Sequence, residues 1–95
     1  MDARIRQLTT DQRQLFRMPD KQLLTNFGNR IRHLRTMRGL SQEQLAELTT
    51  FHRTYIGMIE RGERNLSLSN IGVFAKVFGM SISELMDFGT EGGDS

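Results

Sequence analysis

Residues 40–65 read LSQEQLAELTTFHRTYIGMIERGERN, and this stretch contains two short helical patterns separated by a small polar turn. The first pattern opens with Ser41, and Gln44 follows three residues later. With this spacing the two side chains cap each other's backbone amides at a helix N-terminus. The second pattern runs from about residue 52 to 61 and ends at Gly62, a residue type that favours the left-handed backbone after a helix. The stretch therefore predicts two consecutive helices joined by a turn at residues 49–51.

The second of these helices is predicted to have two chemically different sides. At about 100° per residue, its apolar side carries Tyr55, Ile56 and Ile59. The opposite side carries small, polar and basic residues: Arg53, Thr54, Gly57, Met58 and Arg61. A glycine in mid-helix costs about 0.8–1 kcal/mol relative to alanine, a cost that a smooth surface for close approach to a ligand would justify. An ordinary amphipathic helix that tolerates a glycine is the alternative interpretation.

Helical spacing also runs through the rest of the chain. A first helix is predicted from about residue 20 to 38, with an apolar side made of Leu23, Leu24, Phe27, Ile31 and Leu34. Two further helices are predicted, one over residues 68–78 and a short one from Ser81 to about residue 88. Ser81 and Glu84 form a second capping box that opens the short helix. Strand-like alternation is missing from the sequence, so we expect an all-α fold with five helices.

One compact domain is expected from 95 residues. We expect it at residues 21–89, after an N-terminal extension at residues 1–20 that is flexible or partly helical. A disordered polar tail is expected at residues 90–95. No apolar run is long enough to cross a bilayer and no signal peptide is recognisable, so the sequence predicts a cytoplasmic protein without membrane contact.

Catalysis and cofactor binding are not expected. The chain has no cysteine, which excludes disulfides and thiolate metal sites. His33 has no second histidine at ligand spacing, so neither a metal nor another cofactor is predicted. No activated nucleophile or acid–base pair is recognisable. The sequence therefore favours a binding protein over an enzyme.

Positive charge is concentrated in the middle of the chain. Residues 21–69 contain eight lysines and arginines against four glutamates, whereas residues 70–95 contain one lysine against four acidic residues. Arginines outnumber lysines by eleven to two, and arginine suits bidentate contact with phosphate or guanine. This distribution favours an anionic partner for one face, although a solvated surface of mixed charge would give the same composition.

Two short helices joined by a short turn are able to place the second helix in the major groove of DNA. The apolar residues Leu45, Phe51, Ile56 and Ile59 would hold both helices to a core, with the small Ala46 where they cross. Residues 40–65 resemble the helix-turn-helix of the XRE/Cro-repressor family. Residues 53–56 (RTYI) followed by residues 59–62 (IERG) are especially similar to restriction–modification controller proteins. The resemblance covers residues 27–87 and implies a lambda-repressor-like, five-helix domain that binds operator DNA as a homodimer and regulates transcription.

The resemblance also implies roles for individual residues. Those that would face bases are His52, Arg53, Thr54, Gly57 and Met58. Those that would contact phosphate are Ser41, Gln42, Arg61, Arg64 and Asn65. Independently of the family, the N-terminal amides of the first helix of the motif are able to receive a phosphate beside Gln42. Arg53 is able to pair with guanine through two parallel hydrogen bonds, but a surface arginine or a phosphate contact is the alternative.

Two further sets of residues follow from the resemblance. Glu60 would pair with Arg35 as a structural ion pair. The C-terminal apolar residues that would form the dimer contact are Met80, Ile82, Leu85, Met86 and Phe88. Completion of the core of one chain is the alternative role for this second set.

The chain departs from the family pattern at three positions. Thr50 stands where glycine is usual, so an unfavourable backbone conformation is expected there. Thr49 stands where an apolar residue is usual. His52 replaces a common aspartate, which predicts the loss of a good helix N-cap. An antitoxin-like or other interaction module on the same fold, with a partner protein at residues 1–20, is the alternative function.

Overall fold

The computed structural model describes residues 20–88, and these residues form five α-helices. They are α1 (Lys21–Met37), α2 (Gln42–Thr49), α3 (Arg53–Glu60), α4 (Leu68–Phe78) and α5 (Ile82–Leu85). No strand occurs between residues 20 and 88, and the predicted all-α fold is confirmed. The N-terminal extension, apart from Asp20, and the C-terminal tail predicted from the sequence lie outside the described residues.

Both predicted capping boxes are present. Ser41 Oγ accepts from Gln44 N at 3.0 Å, and Ser41 N donates to Gln44 Oε1 at 2.7 Å. The same reciprocal pair forms between Ser81 and Glu84 at the start of α5. However, α5 ends at Leu85, earlier than predicted, because Asp87 N donates to the carbonyl of Glu84, three residues back, and the chain tightens into a turn.

The core lies between all five helices. Its largest fully buried side chains are Phe74, Ile31, Leu45, Ile56, Ile59 and Leu85. The ring of Phe74 lies 6.3 Å from that of Phe27 and 5.4 Å from that of Phe51, so aromatic contacts join α1, α4 and the turn before α3. Leu23 is 45% exposed although the sequence placed it on the apolar side of α1. It borders an open apolar pocket of about 70 Å³ at the first turn of that helix.

Helix α1 holds α3 by direct contact between backbones. Gly28 is buried in α1, and a Cβ atom at this position would lie 2.3 Å from the carbonyl oxygen of Ile59 and 2.7 Å from that of Glu60. No side chain fits in this space. The distance between α1 and the C-terminal turn of α3 is therefore set by the main chain of both helices.

Basic side chains of α1 and of its C-cap residue Arg38 also donate to backbone carbonyls at or just after the ends of three later helices. Backbone carbonyls at helix C-termini lack partners within the helix and carry partial negative charge, so cations stabilise them. The donors and the carbonyls that accept from them are Lys21 with Gly62 at 2.8 Å, Arg30 with Leu85 at 3.1 Å, and Arg38 with Phe78 at 2.9 Å. Residues 20–88 include no helix with the length and apolar character needed to cross a membrane.

Candidate nucleic-acid interface

The turn between α2 and α3 is held by Thr49 and Thr50. The buried hydroxyl of Thr49 lies 2.9 Å from the carbonyl of Leu45, to which it donates, and accepts from Phe51 N at 3.2 Å. A threonine therefore serves at this usually apolar position because its hydroxyl is fully partnered. Thr50 has φ 63° and ψ 14°, the left-handed region, and it is the only non-glycine residue with positive φ between residues 20 and 88. The unfavourable backbone predicted at Thr50 is confirmed.

His52 caps the N-terminus of α3, so the predicted loss of the cap is wrong. Its Nδ1 atom accepts a hydrogen bond from Thr54 N at 3.0 Å. A ring nitrogen that accepts a hydrogen bond carries no proton, so the proton of the neutral ring resides on Nε2. The imidazole thus replaces the carboxylate of an aspartate cap without adding a negative charge to this end of α3.

The two sides of α3 differ as the sequence predicts. Ile56 and Ile59 are fully buried and Tyr55 is half-buried, whereas Arg53 and Thr54 are exposed and Met58 is partly exposed. The expectation of a bare surface at Gly57 needs correction, because this residue is buried. A Cβ atom on Gly57 would lie 3.2 Å from Arg61 Nη1 and 3.9 Å from Gln42 Oε1. Two long polar side chains therefore lie over the glycine.

Both arginines on the outward side of α3 are paired with carboxylates. Arg53 Nε lies 2.7 Å from Glu43 Oε2, across the α2–α3 turn. Arg61, the C-cap of α3, donates from Nε and Nη2 to the two carboxylate oxygens of Glu63 at 3.0 and 3.2 Å. The Arg61 hydrogen bond lowers the pKa of Glu63, and the same bond raises the pKa of Arg61. Sequence reasoning missed both pairs, since neither has a helical i, i+4 spacing.

The carboxylate of Glu60 accepts hydrogen bonds from three neighbouring side chains. Its side chain has no exposed surface; Oε2 lies 2.6 Å from Arg35 Nε, and Oε1 lies 3.0 Å from Arg35 Nη2. Oε1 also accepts from Gln42 Nε2 at 3.1 Å and from Arg32 Nε at 3.4 Å. Burial by itself raises the pKa of Glu60, but the hydrogen bonds from Arg35, Gln42 and Arg32 outweigh it and hold the pKa below its usual value. The ion pair that the resemblance implied between Arg35 and Glu60 is therefore present.

Gln42 lies at the first position of α2, where a phosphate contact was expected. One hydrogen of its amide nitrogen is used by Glu60, and the second remains for another acceptor. The link to Glu60 was not recognisable in the sequence because 18 residues separate the two. Ser41 uses its hydroxyl as an acceptor for the amide of Gln44.

The loop after α3 brings together Arg64, Tyr55 and the start of α4. The guanidinium carbon of Arg64 lies 5.2 Å from the centre of the Tyr55 ring, within cation–π range. The Tyr55 hydroxyl accepts from Asn70 Nδ2 at 3.0 Å. Arg64 and Asn65 are both exposed. Sequence reasoning assigned Tyr55 to the apolar side alone and missed its polar end.

The C-terminal apolar residues do not share one environment. Leu85 is fully buried in the core of the single chain, so its assignment to a dimer contact is corrected. Met80, Met86 and Phe88 pack against that core, which matches the alternative role considered for them. Ile82 is 40% exposed, and Leu68 is 72% exposed on the neighbouring helix. No group of three metal-ligating side chains forms within residues 20–88, and His33 is exposed.

The arrangement defines a helix-turn-helix DNA-binding domain: α2 braces α3, whose outward side carries arginine and threonine. The helix-turn-helix family model HTH_3 matches residues 31–85, and the chain belongs to this family. It is accordingly a DNA-binding transcription regulator and not an enzyme.

Control proteins of restriction–modification systems are among its relatives. The chain is 48% identical to control protein C.SmaI of Serratia marcescens over 56 residues, which span 59% of this chain and 67% of that protein. It is 46% identical to control protein C.BamHI of Bacillus amyloliquefaciens over 67 residues, 70% of this chain and 83% of that protein. The crystal structure of the restriction–modification controller protein C.AhdI from Aeromonas hydrophila matches with 50% identity and a TM-score of 0.62, covering 65% and 94% of the two chains.

Proposed function

We propose that this regulator recognises a specific operator as a homodimer, with α3 of each copy in a major groove. The observation that carries the proposal is the two-sided character of α3. Its inner side chains Ile56 and Ile59 are fully buried, while Arg53 and Thr54 project outward. A helix whose inner side is packed on the core and whose outer side is polar is able to enter a groove about 12 Å wide while its contacts with the core stay intact.

Arg53 is the proposed main reader of sequence. It lies in the first turn of α3, and its side chain is 59% exposed. A guanidinium matches the O6 and N7 acceptors of guanine, and such a contact gives about 1–3 kcal/mol of discrimination against other bases. His52, Thr54 and Met58 are proposed to contact neighbouring base edges. Gly57 is proposed to permit close approach, because a larger residue at this position would push the Arg61 and Gln42 side chains outward.

Phosphate contacts are proposed on both sides of α3. On one side, Gln42 offers its second amide hydrogen beside the N-terminal amides of α2, which Ser41 orients through its cap. On the other side, Arg61, Arg64 and Asn65 offer donors from the loop toward α4. Phosphate contacts fix orientation on the duplex and carry no direct sequence information.

A second copy of the chain is proposed to pack on Ile82 and Leu68, which are exposed apolar side chains of α5 and α4. A dimer would place two α3 helices about 34 Å apart, one turn of DNA.

The control-protein relatives suggest that the regulated genes belong to a restriction–modification system. Since DNA is the proposed ligand, we also propose that the protein is cytoplasmic. The DNA-binding domain is proposed to span residues 21–89. A partner protein that binds residues 1–20 remains a prediction.

The test is selection of bound sequences from random DNA by the wild type, Arg53→Ala and Arg53→Lys. We expect the wild type to select two related half-sites. Arg53→Lys keeps the charge but loses the planar fork, so it should retain affinity for unspecific DNA and lose preference at one base position per half-site. Arg53→Ala should lose both. Selection of the same sequence with equal strength by all three proteins would overturn the proposed role of Arg53.

A further inference from the structure

We propose that Glu63 is a specificity determinant of this DNA-binding surface, because it holds the Arg61 guanidinium against α3 and withholds its charge from unspecific phosphates. The inference rests on the proposed function and extends it to a residue outside the two helices of the motif. Glu63 lies in the loop after α3 and had no role in the sequence-based predictions.

The geometry of Arg61 is the first part of the argument. Two of its nitrogens, Nε and Nη2, donate to the two carboxylate oxygens of Glu63 at 3.0 and 3.2 Å. The third nitrogen, Nη1, lies 3.2 Å from the point where a Cβ atom on Gly57 would stand. The guanidinium is thus fixed at one edge by a carboxylate and rests on the glycine with the other. Gly57 supplies the space and Glu63 supplies the orientation.

Charge is the second part. Arg61 lies over Gly57 on the outward side of α3, and Arg61 and Glu63 keep 53% and 43% of their side-chain surface exposed. This pair therefore lies on the face proposed to meet DNA. Unspecific DNA binding comes almost entirely from attraction between cations and phosphates. A carboxylate that neutralises Arg61 therefore weakens binding to every duplex. Glu63 is charged at neutral pH, as an ordinary glutamate is, and its hydrogen bond with Arg61 lowers its pKa further.

The two effects act differently on the two kinds of complex. On unspecific DNA, removal of the Glu63 charge only adds attraction. On the operator, the same change also releases Arg61 from its fixed position over Gly57, so part of the gain is lost. Glu63→Gln should therefore narrow the difference in affinity between operator and unspecific DNA.

The experiment compares the wild type, Glu63→Gln and Glu47→Gln on two probes, a duplex selected by the wild type from random DNA and poly(dI-dC). Glu47 is an exposed carboxylate of α2 with no ion pair among residues 20–88, so Glu47→Gln makes the same charge change without releasing an arginine. Dissociation constants are measured by fluorescence anisotropy at several salt concentrations.

We expect Glu63→Gln to bind poly(dI-dC) about 2- to 5-fold more tightly than the wild type and to gain less on the selected duplex, with a lower ratio of the two affinities. Glu47→Gln should leave that ratio unchanged. Equal ratios for Glu63→Gln and Glu47→Gln, or weaker binding of poly(dI-dC) by Glu63→Gln, would overturn the inference while leaving the proposed function intact. Failure of the wild type to distinguish the two probes would remove both.

Discussion

Gln42 Nε2 donates to Glu60 Oε1 at 3.1 Å, and this bond connects the first residue of α2 with a carboxylate that has no exposed surface. The residue proposed to contact phosphate is thereby held by the same carboxylate that anchors Arg35 of α1. Three helices meet at Glu60. The structural centre of the motif and its DNA-facing edge are therefore one hydrogen-bonded network.

Glu60→Ala is expected to lower the free energy of unfolding by about 3–5 kcal/mol, because it leaves the largely buried Arg35 without its partner. Urea unfolding at pH 7 measures the change. Glu43→Ala removes a carboxylate from the exposed pair with Arg53 and should change stability little. A Glu60→Ala protein of wild-type stability with an altered base preference would contradict the structural role.

Acidification should destabilise the fold through Glu60. The pKa of Glu60 lies below its ordinary value of 4.5 in the folded chain. Its contribution is therefore complete above the unfolded pKa and is lost as the pH falls through the folded pKa. We expect the melting temperature of the wild type to fall below about pH 5, and Glu60→Gln, which has no charge to lose, to show a flatter dependence. Glu47→Gln, at an exposed carboxylate without an ion pair among residues 20–88, serves as the control and should keep the steep fall. Equal slopes in the wild type and Glu60→Gln would refute the assignment.

Thr50→Gly is expected to raise the free energy of unfolding by up to about 1 kcal/mol. Glycine adopts the left-handed backbone found here without steric cost, and this relief exceeds the greater freedom that glycine gives the unfolded chain. Thr36→Gly, at an exposed position inside α1, has ordinary helical backbone and should instead be destabilising by a few tenths of a kcal/mol, roughly the difference in helix propensity. Chemical unfolding of both variants decides the point, and loss of stability in Thr50→Gly would show that its φ angle carries no strain.

Alanine substitution of Gly28, Gly57 and Gly72 should change stability in different directions, because the space around each glycine differs. Gly28→Ala forces a methyl group onto the backbone of α3 and should cost about 1–3 kcal/mol or more. Gly72→Ala meets only Ile82 Cδ1, at 3.9 Å, and should stabilise α4 by about 0.8–1 kcal/mol. Gly57→Ala should stabilise α3 by a similar amount, since the far end of Arg61 is able to move, yet its methyl group should reduce DNA affinity. Thermal unfolding and anisotropy titration provide the measurements; undiminished DNA affinity in Gly57→Ala would argue against close approach at this position.

Ile82→Glu should shift the equilibrium from dimer to monomer by about tenfold or more, because an unpaired carboxylate would be buried in the proposed contact. Sedimentation velocity measures the distribution. Met37→Glu places the same charge on an apolar side chain that is 69% exposed at the end of α1, and it should leave the distribution unchanged. Equal behaviour of the two variants would place the contact elsewhere.

The sequence was sufficient to predict the features that depend on local spacing. The Ser41 and Ser81 capping boxes, the end of α3 before Gly62 and the buried side of α3 all follow from residues within a few positions of each other. The Arg35–Glu60 pair came from the family resemblance, because local spacing gives no signal for residues 25 positions apart.

The missed features depend on side-chain conformation or on tertiary packing. The cap formed by His52 depends on a ring nitrogen that serves as an acceptor, a property that residue type alone does not fix. The burial of Leu85 depends on how α5 folds back onto α1. The burial of Gly57 depends on the side-chain conformations of Gln42 and Arg61, and a helical wheel gives no information on side-chain conformation.

The contact at Gly28 has a consequence for the history of this domain. Because the backbones of α1 and of the C-terminal end of α3 meet at Gly28, exchanges among aliphatic core residues cannot bring the two helices closer at this point. The position of α3 relative to α1 is therefore less sensitive to sequence changes in the core. Outward positions such as Arg53 and Thr54 are free to diversify toward new operators on an unchanged frame.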